Sequence, residues 1–118
     1  MTGNSFELGE VLDKKIFWRP RKPTEEDPKD YSINVFFRTY DVNGDEKKID
    51  IARVDYKEEH NGVHFDKFYE RPPTREEYID WDFWKAWGKL EDNWKDMAEK
   101  YLERYGEQQV EIEKVRKN

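Results

Sequence analysis

The sequence predicts an α+β domain, an antiparallel β-meander of four or five strands packed against one long C-terminal α-helix. Three observations predict it. Asn43-Gly44 and Asn61-Gly62 each lie between apolar-polar runs, the mark of tight hairpin turns. Apolar residues then recur at helical spacing from Phe83 to Tyr105, and Gly106 follows as a natural stop. Finally, 118 residues with 16% aromatic content can bury one core, although only 35% of the chain is apolar and 42% is charged.

Residues 6–18, FELGEVLDKKIFW, read as a bent strand or strand pair broken near Gly9 and Asp13. Residues 19–30, RPRKPTEEDPKD, hold three prolines and no apolar side chain, so they form a long charged loop. A two-residue turn at Asn43-Gly44 sets a register for 31–56. Val42 then faces Asp45, Phe37 faces Asp50, Val35 faces Ala52 and Ile33 faces Val54. One face collects Tyr31, Ile33, Val35, Phe37, Ala52, Val54 and Tyr56. The other carries Ser32, Asn34, Arg53 and Asp55, with Phe36 and Ile51 in its middle.

A further strand is expected at 63–69. In the next segment Thr74-x-x-Glu77 has the capping-box pattern, which predicts a short helical turn. The final helix, ~34 Å long at 1.5 Å per residue, places Phe83, Trp87, Leu90, Trp94, Met97, Ala98, Tyr101 and Tyr105 on one stripe. Either Asp80 or Asp82 caps it. Trp84 sits at the edge of the stripe; Trp81 precedes the helix if Asp82 caps it and is displayed opposite the stripe if Asp80 does, so Trp81 is the indole expected to be at least partly exposed. The tail 107–118, with Val110 and Ile112 alternating, either adds an edge strand or dangles. The whole of 1–118 reads as a single domain.

Composition narrows function. Without cysteine there is neither a disulfide framework nor a thiolate metal site, which fits a reducing cytoplasm. No apolar run reaches the length of a membrane span, and the first residues show no signal peptide. Abundant Lys and Glu without cysteine also match the tendency of hyperthermophile proteins. The net charge of −6 disfavours nonspecific binding of a phosphate backbone. A protein partner is therefore favoured over nucleic acid, with RNA kept open. No cofactor is implied.

Both histidines lie in one polar block, residues 52–69. His60 and His64 with Asp55 or Asp66 have the residue types of a divalent-metal site, but on a hairpin their spacing fixes no geometry, and no metal is expected. His60, His64 and Arg53 could instead serve acid–base and phosphate-stabilising roles in metal-free RNA cleavage. The plainer alternative is a solvated hairpin on which Arg53 meets Asp55 or Asn34. As binding residues the sequence offers Asp55, Arg19 and Arg21, and the indoles of Trp81 and Trp84. For the arginines the alternative is a solvated loop; for the indoles it is packing at the helix start.

Arg53-x-Asp55, followed by His60, Gly62, His64 and Asp66 ahead of an aromatic-ended strand, resembles the small toxins of the TumE type. It is also similar to a group of uncharacterised archaeal proteins. The resemblance spans about residues 31–105. It implies a β-meander closed by a C-terminal helix and, for the toxins, ribonuclease activity. Two functions thus stand side by side. One is a small acidic cytoplasmic interaction or regulatory protein, archaeal or viral, that binds a macromolecule. The other is a TumE-like, metal-independent ribonuclease toxin.

Overall fold

The computed structural model describes residues 4–57 and 62–112. It is an α+β fold in two layers. Among these residues six strands form one antiparallel sheet in the order β1-β2-β3-β4-β5-β6, and one helix lies across one face. The strands are β1 Phe6–Val11, β2 Lys14–Arg21, β3 Ser32–Tyr40, β4 Glu46–Lys57, β5 Gly62–Lys67 and β6 Thr74–Ile79; the helix, α1, is Phe83–Tyr105.

The expected bent strand pair is the β1–β2 hairpin. Val11 faces Lys14 across a turn in which Leu12 and Asp13 both have positive φ, 47° and 67°. That is the pattern of a type I′ turn, whose twist matches the strands it joins. The loop begins later than expected, because Arg19-Pro20-Arg21 completes β2 against Ser32, Ile33 and Asn34.

The β3–β4 register follows the expected one only in part. Ile33 faces Val54 and Val35 faces Ala52, as the turn position predicts. The turn is longer, however: Asp41 closes on Asp45 and Tyr40 pairs with Glu46. Its carboxylate accepts from the backbone N–H of Asn43 and Asp45, which stabilises the wider loop over a two-residue turn. A bulge at Ile51 restores the register, so Phe37 faces Ile49 rather than Asp50. The β4–β5 pairing is present, but Asn61 and His60 lie outside the described residues.

The sheet has six strands because Thr74–Ile79 pairs with β5 instead of forming a helical turn. The capping-box pattern at Thr74 yields to the exposed edge of β5. Thr74 donates its hydroxyl to Glu70, and Arg75 reaches Asp66. The true cap is Asp82, whose carboxylate accepts from Lys85 N at 2.8 Å.

The helix stripe has nearly the expected phase. Phe83, Ala86, Leu90, Met97, Ala98 and Tyr101 are buried. They meet the face carrying Ile16, Trp18, Tyr31, Ile33, Val35, Phe37, Ile49 and Val54. Trp18 packs on Trp87, Tyr31 on Phe83 and Phe37 on Tyr101. Trp94, expected at the centre of the stripe, is only half-buried. It lies against β1, where a Cβ on Gly9 would come within 2.8 Å of its ring. A glycine at that position lets β1 pass beneath the indole.

Gly106 ends the helix at φ 62°, its N–H bonded to the Leu102 carbonyl. Residues 107–112 form neither a strand nor a loose end. Glu107 accepts from Lys14 at 2.7 Å and from Thr39. Gln109 accepts from Asp50 N, next to the Ile51 bulge, at 2.7 Å. Tyr101 donates to the Gln108 carbonyl and accepts from Val110 N. Val110 and Ile112 pack at the margin of the core.

Candidate functional site: a closed polar face and an open aromatic end

The helix-free face of the sheet carries the charged residues singled out above. Alternation and register put Arg19, Asn34, Arg53, Asp66 and Arg75 in one row across β2 to β6. Asp66 is fully buried and holds two guanidinium groups. Arg53 binds its Oδ2 through Nε and Nη2, at 3.2 and 2.8 Å. Arg75 binds Oδ1 through Nε at 2.6 Å and Oδ2 through Nη2 at 3.2 Å. Burial raises the pKa of Asp66, but the bonds from Arg75 and Arg53 outweigh it and hold the carboxyl below its ordinary value. Arg75 is shifted up, first by its bond to Asp66, with Glu77 and Asp55 adding to the effect. Both guanidinium groups are thus engaged by the one buried carboxylate of Asp66.

The neighbouring row aligns Arg21, Ser32, Asp55 and His64. His64 is only 1% exposed. Arg21 turns away and pairs with Asp30 of the loop at 3.0 Å. Toward β1, the fully buried Phe36 stacks on Phe17. Arg19, Arg38 and Lys48 cover it at 5.6, 5.3 and 5.4 Å from its centroid. Arg38 also binds Glu46, Lys48 approaches Asp50, and Asn34 donates to Asp50 at 2.8 Å. Most of the charged groups of this face are thus paired within the chain.

The structure thus brings Arg53, Asp55, His64 and Asp66 onto adjacent strands of one face and places Arg19 on the same face. Arg21 is tied to the loop. His60 lies outside the described residues. Among those residues, no group of three or more His, Cys, Asp or Glu could hold a metal ion.

The opposite situation holds where the helix begins. Trp84, expected at the edge of the stripe, is 65% exposed. Trp81, expected to be at least partly exposed, is half-buried. Its ring packs on Phe65, and its carbonyl accepts from the buried Tyr31 hydroxyl at 2.7 Å. The reason is the cap: with Asp82 at the N-cap, Trp81 precedes the helix and folds back over β5. A cleft of about 320 Å³ opens beside it, lined by Pro28, Lys29, Val63, Tyr78, Ile79, Asp80 and Asp82.

Tyr78 is the residue that sequence reasoning missed. Across from His64, β6 carries an additional residue, for Val63 pairs with Ile79 while Phe65 pairs with Glu76. In this bulge Tyr78 adopts φ 58° and is 69% exposed. A non-glycine residue in that region costs ~1–3 kcal/mol, and such strain clusters at functional sites. The strained bulge carries the phenol to the mouth of the cleft instead of the core. No local pattern signals this, because the segment's own chemistry points to a helical turn.

Comparison with known proteins adds nothing to this geometry: no family model, curated protein or solved structure matches the chain. No helix among the described residues is long and apolar enough to cross a membrane.

Proposed function

We propose that the protein works by binding another protein, and that its docking surface is the aromatic end formed by Tyr78, Trp81, Trp84 and the loop before β3. The observation that carries this reading is the exposure of two large aromatics, Tyr78 at 69%, which lines the cleft, and Trp84 at 65%, two residues after Asp82 of the cleft wall. Tyrosine and tryptophan are the side chains that most often anchor interfaces, since they bury large area at low entropic cost. With 42% charged residues and a net charge of −6, the composition suits a small acidic interaction or regulatory protein of the cytoplasm. A ribonuclease of the kind the TumE resemblance implies would draw on His64 and Arg53, with His60, which lies outside the described residues. Here His64 is buried and Arg53 is bound to Asp66.

Affinity capture from cells that make the protein tests the proposal. Wild type is expected to retain a protein partner. Trp84→Ala combined with Tyr78→Ala is expected to lose at least about tenfold of that capture, the scale of a lost hot spot. Arg38→Ala with Lys48→Ala, on the helix-free face, is expected to retain it. Equal capture by the aromatic variant, or loss only with the helix-free-face variant, overturns the reading. Cleavage of RNA by the purified wild type would replace it with the enzyme.

A further inference from the structure

The cleft at the aromatic end is acidic as well as aromatic. We infer that it receives a basic side chain, arginine or lysine, from an exposed segment of the protein partner; the inference rests on the reading above and names the chemistry of its ligand. Asp80 and Asp82 line the cleft together with Trp81 and Tyr78 and, among the described residues, one cation, Lys29. Their carboxylates differ from most of those around the helix-free face. There Asp50, Asp66 and Glu46 each face a cation of the same chain. Among the described residues neither Asp80 nor Asp82 has an ion-pair partner. Asp82 uses Oδ1 to cap the helix, and its second oxygen remains.

The helix start opposes a cation with about half a positive charge, but the cap already answers it, and two full carboxylates stand at the site. An indole and a phenol add the ring faces to which ammonium and guanidinium groups are drawn. The same end shows this contact within the chain, where Lys22 Nζ sits 5.9 Å from the ring centroid of Trp84. The volume, about 320 Å³, lies at the small end of ligand clefts and suits one extended side chain rather than a helix.

Nuclear magnetic resonance of the full chain tests this with a capped Gly-Arg-Gly peptide and its Gly-Gln-Gly counterpart. The arginine peptide is expected to shift the Trp81 indole signal, assigned with Trp81→Phe, and the amides of Val63, Tyr78 and Asp80. The glutamine peptide is expected to shift them little. Asp80→Asn with Asp82→Asn keeps a good cap, since asparagine caps as well as aspartate. That variant is expected to weaken arginine-peptide binding by about tenfold or more through lost charge attraction. Equal response to both peptides overturns the cationic ligand yet leaves aromatic docking standing. Silence of the cleft toward both peptides, or undiminished binding by the double variant, also overturns the inference. The capture experiment judges the docking surface independently.

Discussion

Tyr101→Ala is expected to destabilise the fold by ~3–5 kcal/mol, the range for a buried aromatic cut to alanine. Tyr101 is fully buried between the helix and the sheet, edge-on to Phe37. Its hydroxyl also binds the Gln108 carbonyl and Val110 N. Burial pushes its pKa up to about 12, so it stays protonated and able to donate. Tyr101→Phe keeps the ring and removes the clasp, at an expected cost of ~1–2 kcal/mol. Urea denaturation of the two variants separates packing from hydrogen bonding. Equal losses would mean that the ring contributes little and the tail contact dominates.

Asp66→Ala is expected to cost ~3 kcal/mol. Removing one partner of a buried ion pair costs ~3–5 kcal/mol. The lower end applies because the Arg53 and Arg75 side chains are 34% and 31% exposed and regain water when freed. The effect carries a pH signature. The folded pKa of Asp66 lies below its unfolded value, which is ~4 for a free aspartate. Its contribution is therefore complete above that value and fades as pH falls through it toward the folded pKa. The stability gap between wild type and variant should be constant near neutrality and shrink below about pH 4. A gap that stays constant into strong acid would show that Asp66 does not act through its charge.

Much of this architecture could be read from patterns that repeat. The helix showed itself through spacing and the terminal Gly106, and both are local physics. The β3–β4 pairing was legible beyond Val35, where both faces alternate. It failed between Val35 and the turn because Asp41 rewarded a wider loop, and the Ile51 bulge absorbed the extra residue. The sixth strand was hidden for a different reason. Thr74–Ile79 carries a helix-start signal and no apolar alternation, and pairing with β5 overrides that propensity from outside the segment.

The candidate site followed the same division. Trp81 and Trp84 stood out by residue type, yet which of them is displayed depended on which aspartate caps the helix. The charge row through Arg53 was visible as residues. What the sequence could not show is that Asp66 sits at its centre and draws in Arg75 from a strand that was not expected.

The most direct test places a photo-crosslinking residue at Trp84 in one protein and at Arg38 in another, then irradiates each with the partner bound. A covalent adduct with a protein is expected from position 84 and none from position 38. An adduct only from position 38, or RNA in place of protein at position 84, would contradict it.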